Sequence, residues 1–177
     1  MGEGVLPGRA TKRGELQALA AEWLARDYGA FADEWAYRNL PRRVIAETFL
    51  ENGGRIASDY KFLCFNGDPR LVMATQDRFT ALKVSTFDLD WREVSLRQWT
   101  CRPVENLPKP ATFDEMVDIA RRLSAEADFV RVDLYEAGGK VYFGELTNYH
   151  FGGTVPFDPT HWDIDLGRWW RVPWRYR

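Results

Sequence analysis

The sequence predicts an α+β fold in which helices pack on a mostly antiparallel sheet. Runs of alternating apolar and polar residues are joined by glycine-containing turns, a pattern typical of β-hairpins. Segments with apolar residues at helical spacing lie before and between these runs. The order strand, hairpin, helix, hairpin is typical of the α+β class, and a length of 177 residues suits one domain with its own core.

In the N-terminal third of the chain, the sequence predicts one helix and one strand. The helix extends from Gly14 to about Asp27, where apolar residues recur at the spacing of one helix face. Residues 31–40 form a connection with a helical turn around Trp35. The segment Val44–Leu50 then predicts a strand that leads into a loop at residues 52–54.

In the middle of the chain, the sequence predicts the central strands of the sheet. Asp59–Phe65 is an apolar strand that turns at residues 66–69, and Leu71–Thr75 returns antiparallel to it. Lys83–Phe87 continues the sheet. Residues 88–110 are polar and contain several prolines, which indicates a segment that is mostly loop.

A second helix follows this loop. Thr112 and Glu115 have the spacing of a capping box, with Thr112 as the N-cap, and the helix is expected to reach about Ala127. Its apolar stripe consists of Met116, Ile119, Ala120 and Leu123.

Another predicted hairpin, near the C-terminal end, carries the charged residues that say most about function. The segments Phe129–Tyr135 and Lys140–Asn148 flank a Gly-Gly turn, and each has one carboxylate on its polar phase. These carboxylates are Asp133 and Glu145, and Arg131 lies beside them.

The register of this hairpin decides whether the charges meet. A three-residue loop from Ala137 to Gly139 sets Arg131 opposite Glu145 and Asp133 opposite Phe143, with the three charged side chains on one face. A two-residue loop would shift the register by one and set Glu145 among apolar residues, where an unpaired carboxylate is costly. The apolar pattern therefore predicts the three-residue loop, with these residues on the opposite face: Val130, Val132, Leu134, Tyr142 and Leu146.

Two carboxylates and a guanidinium on one face have the chemistry of a magnesium-bound polyphosphate site. Hard oxygen ligands hold the cation, and the guanidinium fork binds phosphate oxygens. The alternative is a solvated sheet face on which Arg131 and Glu145 form an ordinary cross-strand pair.

Composition excludes several other classes. A net charge of −2 provides no bulk attraction to nucleic acid or to an anionic membrane. The sequence contains no apolar run long enough for a transmembrane helix and no signal-peptide pattern, so we expect a cytoplasmic protein. Cys64 and Cys101 have no metal-binding spacing, and His150 and His161 are too few and badly placed for a histidine metal cluster.

The order of these segments resembles the ATP-grasp superfamily, specifically its teichuronopeptide-biosynthesis (TupA-like) branch. The resemblance extends over roughly residues 23–167. The matching phrases are Ile45–Glu47, Asp59–Phe62, Cys64–Gly67, Asp77-Arg78, Phe87–Trp91, Phe113–Met116 with Ile119-Ala120, Val130–Tyr135 and Tyr142–Thr147.

The resemblance implies the C-terminal lobe of a fold that binds ATP and Mg²⁺ between two α+β lobes. It implies that Asp133 and Glu145 are metal ligands and that Arg131 contacts phosphate. ATP-grasp proteins usually place an asparagine two residues after the metal-binding glutamate. Thr147 holds that position here and Asn148 follows it, so the third ligand stays open between them.

The resemblance also implies roles for residues upstream of the hairpin. Glu47 would lie at the hinge, where the family binds adenine through backbone groups, and Asp59 could reach the ribose. Lys61 lies on the same strand face as Asp59 and joins Arg131 as an expected catalytic group.

We therefore expect an irregular N-terminus at residues 1–13, an ATP-grasp-like domain at residues 14–167 and a basic aromatic tail at residues 168–177. The family has an upstream lobe with a glycine-rich loop and a phosphate-binding lysine. Because so few residues precede the first predicted helix, we expect this chain to lack that lobe. Either a partner chain or oligomer completes the site, or the chain is a remnant.

Three functions are compatible with this pattern. The first is an ATP-dependent carboxylate–amine ligase of cell-envelope polysaccharide or teichuronopeptide biosynthesis, with a small-molecule, glycan or peptide acceptor. The second is an inactive lobe that binds a nucleotide or a partner protein. The third, a metal-dependent nuclease, is disfavoured because Thr147 replaces the lysine of its Glu-x-Lys motif and the chain has no basic excess.

Overall fold

A computed structural model describes residues 12–26, 34–37, 39–77, 81–98 and 101–174. The chain divides into two compact units, Met1–Phe49 and Leu50–Arg177. The first unit contains helix α1 (Arg13–Ala25) and a 3₁₀ turn at Trp35–Tyr37, as predicted. The irregular N-terminus predicted for residues 1–13 lies almost wholly outside the described residues, as do residues 27–33.

The predicted strand at Val44–Leu50 is wrong. Residues 41–50 have no regular structure, and the side chains of residues 41–49 are exposed. Apolar and β-branched residues favour a strand only when a neighbouring strand satisfies the backbone, and residues 41–50 have no such neighbour among the described residues. The first strands are instead a short hairpin of β1 (Glu51–Asn52) and β2 (Arg55–Ile56), in the region predicted to be a loop.

The second unit is built on one six-stranded antiparallel sheet with the strand order β6-β5-β4-β3-β7-β8. This arrangement confirms the predicted α+β class and the antiparallel sheet. The strands are β3 (Ser58–Phe65), β4 (Asp68–Gln76), β5 (Lys83–Phe87), β6 (Glu93–Val94), β7 (Phe129–Ala137) and β8 (Lys140–Thr147). The predicted loop at residues 88–110 therefore contains one short strand, β6, at the edge of the sheet.

Helix α2 (Phe113–Ser124) covers one face of this sheet. Its buried residues pack against the apolar phase of β3, β4 and β7, which produces the larger core. The main contributors are Phe62, Val72, Phe113, Met116, Val132 and Leu134.

Helix α2 starts and ends differently from the prediction. Thr112 makes no side-chain capping hydrogen bond, and its hydroxyl oxygen is buried without a partner. The capping box is therefore not formed, although the helix begins at the next residue. The helix ends at Ser124 rather than near Ala127, and Leu123 of the predicted apolar stripe is exposed.

The opposite face of the sheet is divided into an apolar part and a charged part. Helix α3 (His161–Trp169) packs Trp162, Leu166 and Trp169 over the apolar part, which includes Leu63 and Phe65 of β3. Because side chains alternate along a strand, the earlier residues of β3 on this same face are Asp59 and Lys61. The charged part of the face thus begins where the apolar part ends.

The predicted register of the β7–β8 hairpin is wrong. The loop has two residues, Gly138 and Gly139, and both have positive φ, so Ala137 faces Lys140 rather than lying in the loop. Such a turn suits two strands with right-handed twist, and glycine adopts it without steric cost. A two-residue loop by itself would place Glu145 on the apolar face.

A β-bulge at Gly144 restores the orientation of Glu145. Leu134 pairs with Phe143 and Asp133 pairs with Glu145, so Gly144 is an extra residue in β8. The carboxylates therefore face each other directly rather than diagonally, and Glu145 shares the face of Asp133 as predicted.

Two other positions on this hairpin differ from the prediction. Arg131 lies opposite Thr147 rather than opposite Glu145. Tyr142 pairs with Tyr135 and so lies on the charged face rather than on the apolar one. Both differences follow from the shorter loop and the bulge.

The segment after α3 extends along the apolar end of the sheet. The indole nitrogen of Trp170 donates to Asp128, and the ring of Trp169 contacts Phe65. Trp174 is exposed, and residues 175–177 of the predicted tail lie outside the described residues. Within the described ranges, the helices are too short or too polar to cross a membrane.

The bulge should require glycine at position 144. A Cβ atom there would lie 2.7 Å from the Tyr135 ring and 3.1 Å from the carbonyl oxygen of Asp133, so the ring and the backbone would both have to shift. We expect Gly144→Ala to lower the free energy of unfolding by about 1–3 kcal/mol in urea denaturation.

Gly167→Ala is the matched control for this substitution. Gly167 lies in α3 with no neighbouring atom within 4 Å of its added Cβ, so alanine should leave stability unchanged or raise it by up to about 1 kcal/mol. A Gly144→Ala protein as stable as the wild type would contradict the steric requirement at the bulge.

Candidate functional site

The charged part of the sheet face is formed by three neighbouring strands. Antiparallel pairing sets Lys61 of β3 opposite Asp133 of β7, and Asp133 opposite Glu145 of β8. Asp59 and Arg131 lie two residues from these positions on β3 and β7, on the same face. We call these five residues the charged cluster.

Asp133 is the centre of the charged cluster and has only 1 % of its side chain exposed. The guanidinium of Arg131 donates to both of its oxygens, from Nε to Oδ1 and from Nη2 to Oδ2, each at 2.7 Å. The Lys61 ammonium donates to Oδ2 at 2.5 Å. Both oxygens of this carboxylate are therefore engaged by cations.

These contacts decide the ionisation of Asp133. Burial by itself would raise the pKa of the carboxyl, but the hydrogen bonds from Arg131 and the charges of Lys61 and Arg131 outweigh it and hold the pKa below its ordinary value. In the same way, burial would lower the pKa of Arg131, but Asp133 and the other carboxylates raise it. The pair is ionised, and removing one partner would leave an uncompensated buried charge at a cost of about 3–5 kcal/mol.

Lys61 connects the two acidic residues of the buried layer. Its Nζ lies 2.6 Å from Oδ2 of Asp59, which is itself buried, and 13 % of the lysine side chain is exposed. Two cations thus face the two buried carboxylates of Asp59 and Asp133, so this layer is formally neutral. The contact of Asp59 with a ribose, which the resemblance implied, stays a prediction.

Glu145 is the exposed member of the charged cluster. Its Oε1 accepts hydrogen bonds from Nη2 of Arg131 at 2.8 Å and from the Thr147 hydroxyl at 2.9 Å, while 60 % of its side chain is exposed. Solvent and ligands therefore reach the cluster on the Glu145 side. Of the two candidates for a third ligand, Thr147 contacts Glu145 directly, and Asn148 lies exposed just beyond the end of β8.

His150 and Gln98 complete the site, and the sequence did not predict them. His150 is buried at the start of a 3₁₀ segment, His150–Gly153, and its Nδ1 lies 3.2 Å from Nη1 of Arg131. Its Nε2 lies 2.5 Å from Oε1 of Gln98, whose amide nitrogen donates to the carbonyl of Val155 at 3.2 Å. Neither residue belongs to a strand of the hairpin, so no alternation pattern placed them on the charged face.

The partners of His150 determine its protonation. An arginine side chain only donates hydrogen bonds, so Nδ1 accepts, and Nε2 carries the proton that Gln98 accepts. Burial, together with the charge of Arg131, lowers the pKa of His150 to about 3. The ring is therefore neutral at neutral pH.

The sequence also predicted Glu47 as a site residue. It lies in the first unit, exposed, within the segment that has no regular structure. Among the described residues, no group of three or more histidine, cysteine, aspartate or glutamate side chains is arranged to hold a metal ion. Cys64 is buried in the core, and burial raises the pKa of its thiol to about 12.

Stability should fall when the pH drops through the range in which an ordinary histidine titrates. Below a pKa of 6.5 the unfolded chain takes up a proton on His150, whereas the folded protein, with a pKa of about 3, does not. The free energy of unfolding should lose up to about 1.4 kcal/mol per pH unit between about pH 6 and about pH 5, measured by urea denaturation. Asp133 adds nothing in this range, because its stabilising contribution is lost only below its ordinary pKa of 3.8.

The variant His150→Asn removes this titration and should have a shallower pH dependence than the wild type. His161 is exposed on α3, so His161→Asn is the matched control and should keep the wild-type slope. A wild-type slope in His150→Asn would contradict the neutral state of the buried ring.

Comparison with known proteins identifies the family of the chain. A protein-family model described as TupA-like ATPgrasp matches residues 12–170, a range that includes the six-stranded sheet and the whole charged cluster. Neither the curated proteins nor the solved structures contain a significant match to the chain. Since the family match covers far more than half of the sequence, the chain belongs to the TupA-like ATP-grasp family.

Proposed function

We propose that this protein binds Mg-ATP at the charged cluster and contributes to an ATP-dependent carboxylate–amine ligase reaction. The observation that carries the proposal is that Lys61 and Arg131 converge on Asp133 beside the exposed Glu145. This arrangement combines two cations suited to phosphate with two carboxylates suited to a divalent cation. Family membership supports the ATP-grasp class.

The cationic half of the cluster fits a polyphosphate. Arg131 offers a planar fork of donors, and Lys61 offers a compact charge that is partly exposed. Carboxylates hold both cations in place before a ligand binds. Preorganised cations of this kind stabilise charge that develops on a transferred phosphoryl group.

The acidic half fits a magnesium ion that is bound together with phosphate. Mg²⁺ in such sites uses one or two carboxylates and completes its shell with phosphate oxygens and water, so a preformed cluster of three protein ligands is not required. Asp133 and Glu145 face each other on adjacent strands and would supply these two ligands, with Thr147 or Asn148 as the third. When bound, the magnesium ion would neutralise charge on the phosphates.

Asp133 links the two halves, because its oxygens are occupied by Lys61 and Arg131. Phosphate oxygens that accept hydrogen bonds from Lys61 and Arg131 would release an oxygen of Asp133. We therefore infer that the cluster accepts nucleotide and metal together rather than metal alone. The assignment of Glu47 to an adenine contact stays a prediction from the resemblance.

The proposed reaction has two steps and an amine acceptor. ATP would activate a carboxylate as an acyl phosphate, and a glycan, peptide or small-molecule amine would displace the phosphate. By resemblance, this would take place in the cytoplasm during cell-envelope polysaccharide or teichuronopeptide biosynthesis. A partner chain or an oligomer could complete the site.

The second candidate is a binding module without turnover. It is favoured by the complete engagement of Asp133 and by the absence, within the described ranges, of a preformed group of three metal-binding side chains. Such a protein would bind ATP or a partner protein but would not release phosphate.

Calorimetric titration of ATP with and without Mg²⁺ tests the proposal. We expect Mg²⁺ to raise the ATP affinity of the wild type and expect Glu145→Gln to lose about tenfold in the Mg²⁺-dependent part, since its amide replaces a metal-binding carboxylate. Asp133→Asn should lose at least as much. Glu145 is largely exposed, so its variant tests the site even if Asp133→Asn does not fold.

Glu126→Gln, an exposed substitution in the turn after α2, is the matched control and should bind as the wild type does. Unchanged binding in both Asp133→Asn and Glu145→Gln would reject the metal site, and a wild type that binds no ATP would reject the proposal as a whole. ATP binding without phosphate release would favour the binding module over the ligase.

A further inference from the structure

His150 is a buried polar residue in contact with the charged cluster, and the proposed function does not yet use it. We propose that His150 is a positioning residue that holds the guanidinium of Arg131 in the orientation required for phosphate contact. The inference rests on the proposed function, in which Arg131 binds phosphate. It concerns how the chain orients that arginine when its carboxylate partners are engaged elsewhere.

The contacts of Arg131 divide into two kinds. Nε and Nη2 donate to Asp133 and Glu145, the two carboxylates proposed to bind metal. Nη1 contacts His150, which carries no charge and is not one of the proposed ligands. When the two carboxylates turn toward a cation, Arg131 loses their hydrogen bonds. Of its contacts with described residues, the one with His150 does not compete with the ligand.

The imidazole can act as an acceptor for Arg131 because the groups behind it are oriented. The side-chain nitrogen of Gln98 donates to the carbonyl of Val155, which leaves its oxygen facing Nε2 of His150. Nε2 therefore carries the proton, and Nδ1 offers a lone pair to Nη1 of Arg131. This chain of hydrogen bonds, from Val155 to Arg131, fixes the tautomer of the ring.

Packing fixes the position of the ring as well. His150 lies between Phe151, with ring centroids 4.5 Å apart, and Phe157, at 6.1 Å with the planes nearly parallel. The backbone turns sharply after it, because Phe151 and Gly152 both have positive φ. A buried ring held by aromatic neighbours and by two hydrogen bonds is suited to orienting a second group.

Three substitutions of His150 distinguish the roles of its two ring nitrogens. Asparagine places a polar atom at the position of Nδ1, so His150→Asn keeps an acceptor for Arg131. Glutamine places its polar atoms near the position of Nε2, so His150→Gln keeps the contact with Gln98 but leaves Nη1 of Arg131 without its acceptor. His150→Phe keeps a ring and removes both contacts, and the exposed His161→Asn is the control.

The test measures ATP affinity by calorimetry in Mg²⁺ and the unfolding free energy of each variant by urea denaturation. We expect His150→Asn and His161→Asn to bind ATP within roughly threefold of the wild type, and His150→Gln and His150→Phe to bind about tenfold more weakly. If His150→Phe does not fold, His150→Gln carries the same comparison. Equal ATP affinity in the Asn and Gln variants, or affinity that only follows stability across the series, would overturn the proposal.

A nucleotide-free measurement separates this inference from the proposed function. In ¹⁵N NMR spectra of the protein without ligand, the Arg131 side-chain N–H signals should exchange slowly with solvent in the wild type and in His150→Asn. Exchange should be about tenfold faster in His150→Gln. Equal exchange in these two variants would refute the positioning role, whereas normal exchange in a wild type that binds no ATP would refute the proposed function alone.

Discussion

The structure depends on the neutralisation of one buried carboxylate. Asp133 lies on a central strand with almost none of its side chain exposed, and an unpaired charge there would be strongly unfavourable. The ionised form of Asp133 is therefore stabilised by two cations at hydrogen-bonding distance, Arg131 from its own strand and Lys61 from the neighbouring strand. The lysine in turn pairs with Asp59, so the requirement extends from one residue to a layer of alternating charges.

The strand order and the bulge bring the charged cluster together. Lys61 can reach Asp133 because β3 and β7 are hydrogen-bonded neighbours, although 72 residues separate the two positions in the chain. Glu145 reaches the same face only because Gly144 adds one residue to β8 and reverses the phase set by the tight turn. On the same face of the sheet, helix α3 covers the apolar part, which lies beside the charged part.

The proposed function assigns this ion network a role in binding rather than in stability. A buried ion pair commonly contributes no more stability than well-packed apolar residues of the same volume, since desolvation offsets the attraction. The cluster instead combines rigid cations, paired acids and one solvent-exposed carboxylate, which matches the needs of a phosphate and a divalent cation. The neutral His150 adds an orienting contact to Arg131 that leaves the charge balance unchanged.

The sequence by itself determined the features that depend on local alternation and turn chemistry. These include the β3–β4 hairpin, the two segments of the β7–β8 hairpin, the approximate positions of α1 and α2, and the common face of Arg131 and Asp133, because side-chain alternation along a strand follows from the chain alone. Tertiary structure decided the rest: the bulge in β8, the failure of residues 41–50 to form a strand, the contact of Lys61 with Asp133, and the presence of His150 and Gln98. Each of these depends on which distant segment supplies a partner for a backbone or a charge, and neither periodicity nor residue spacing contains that information.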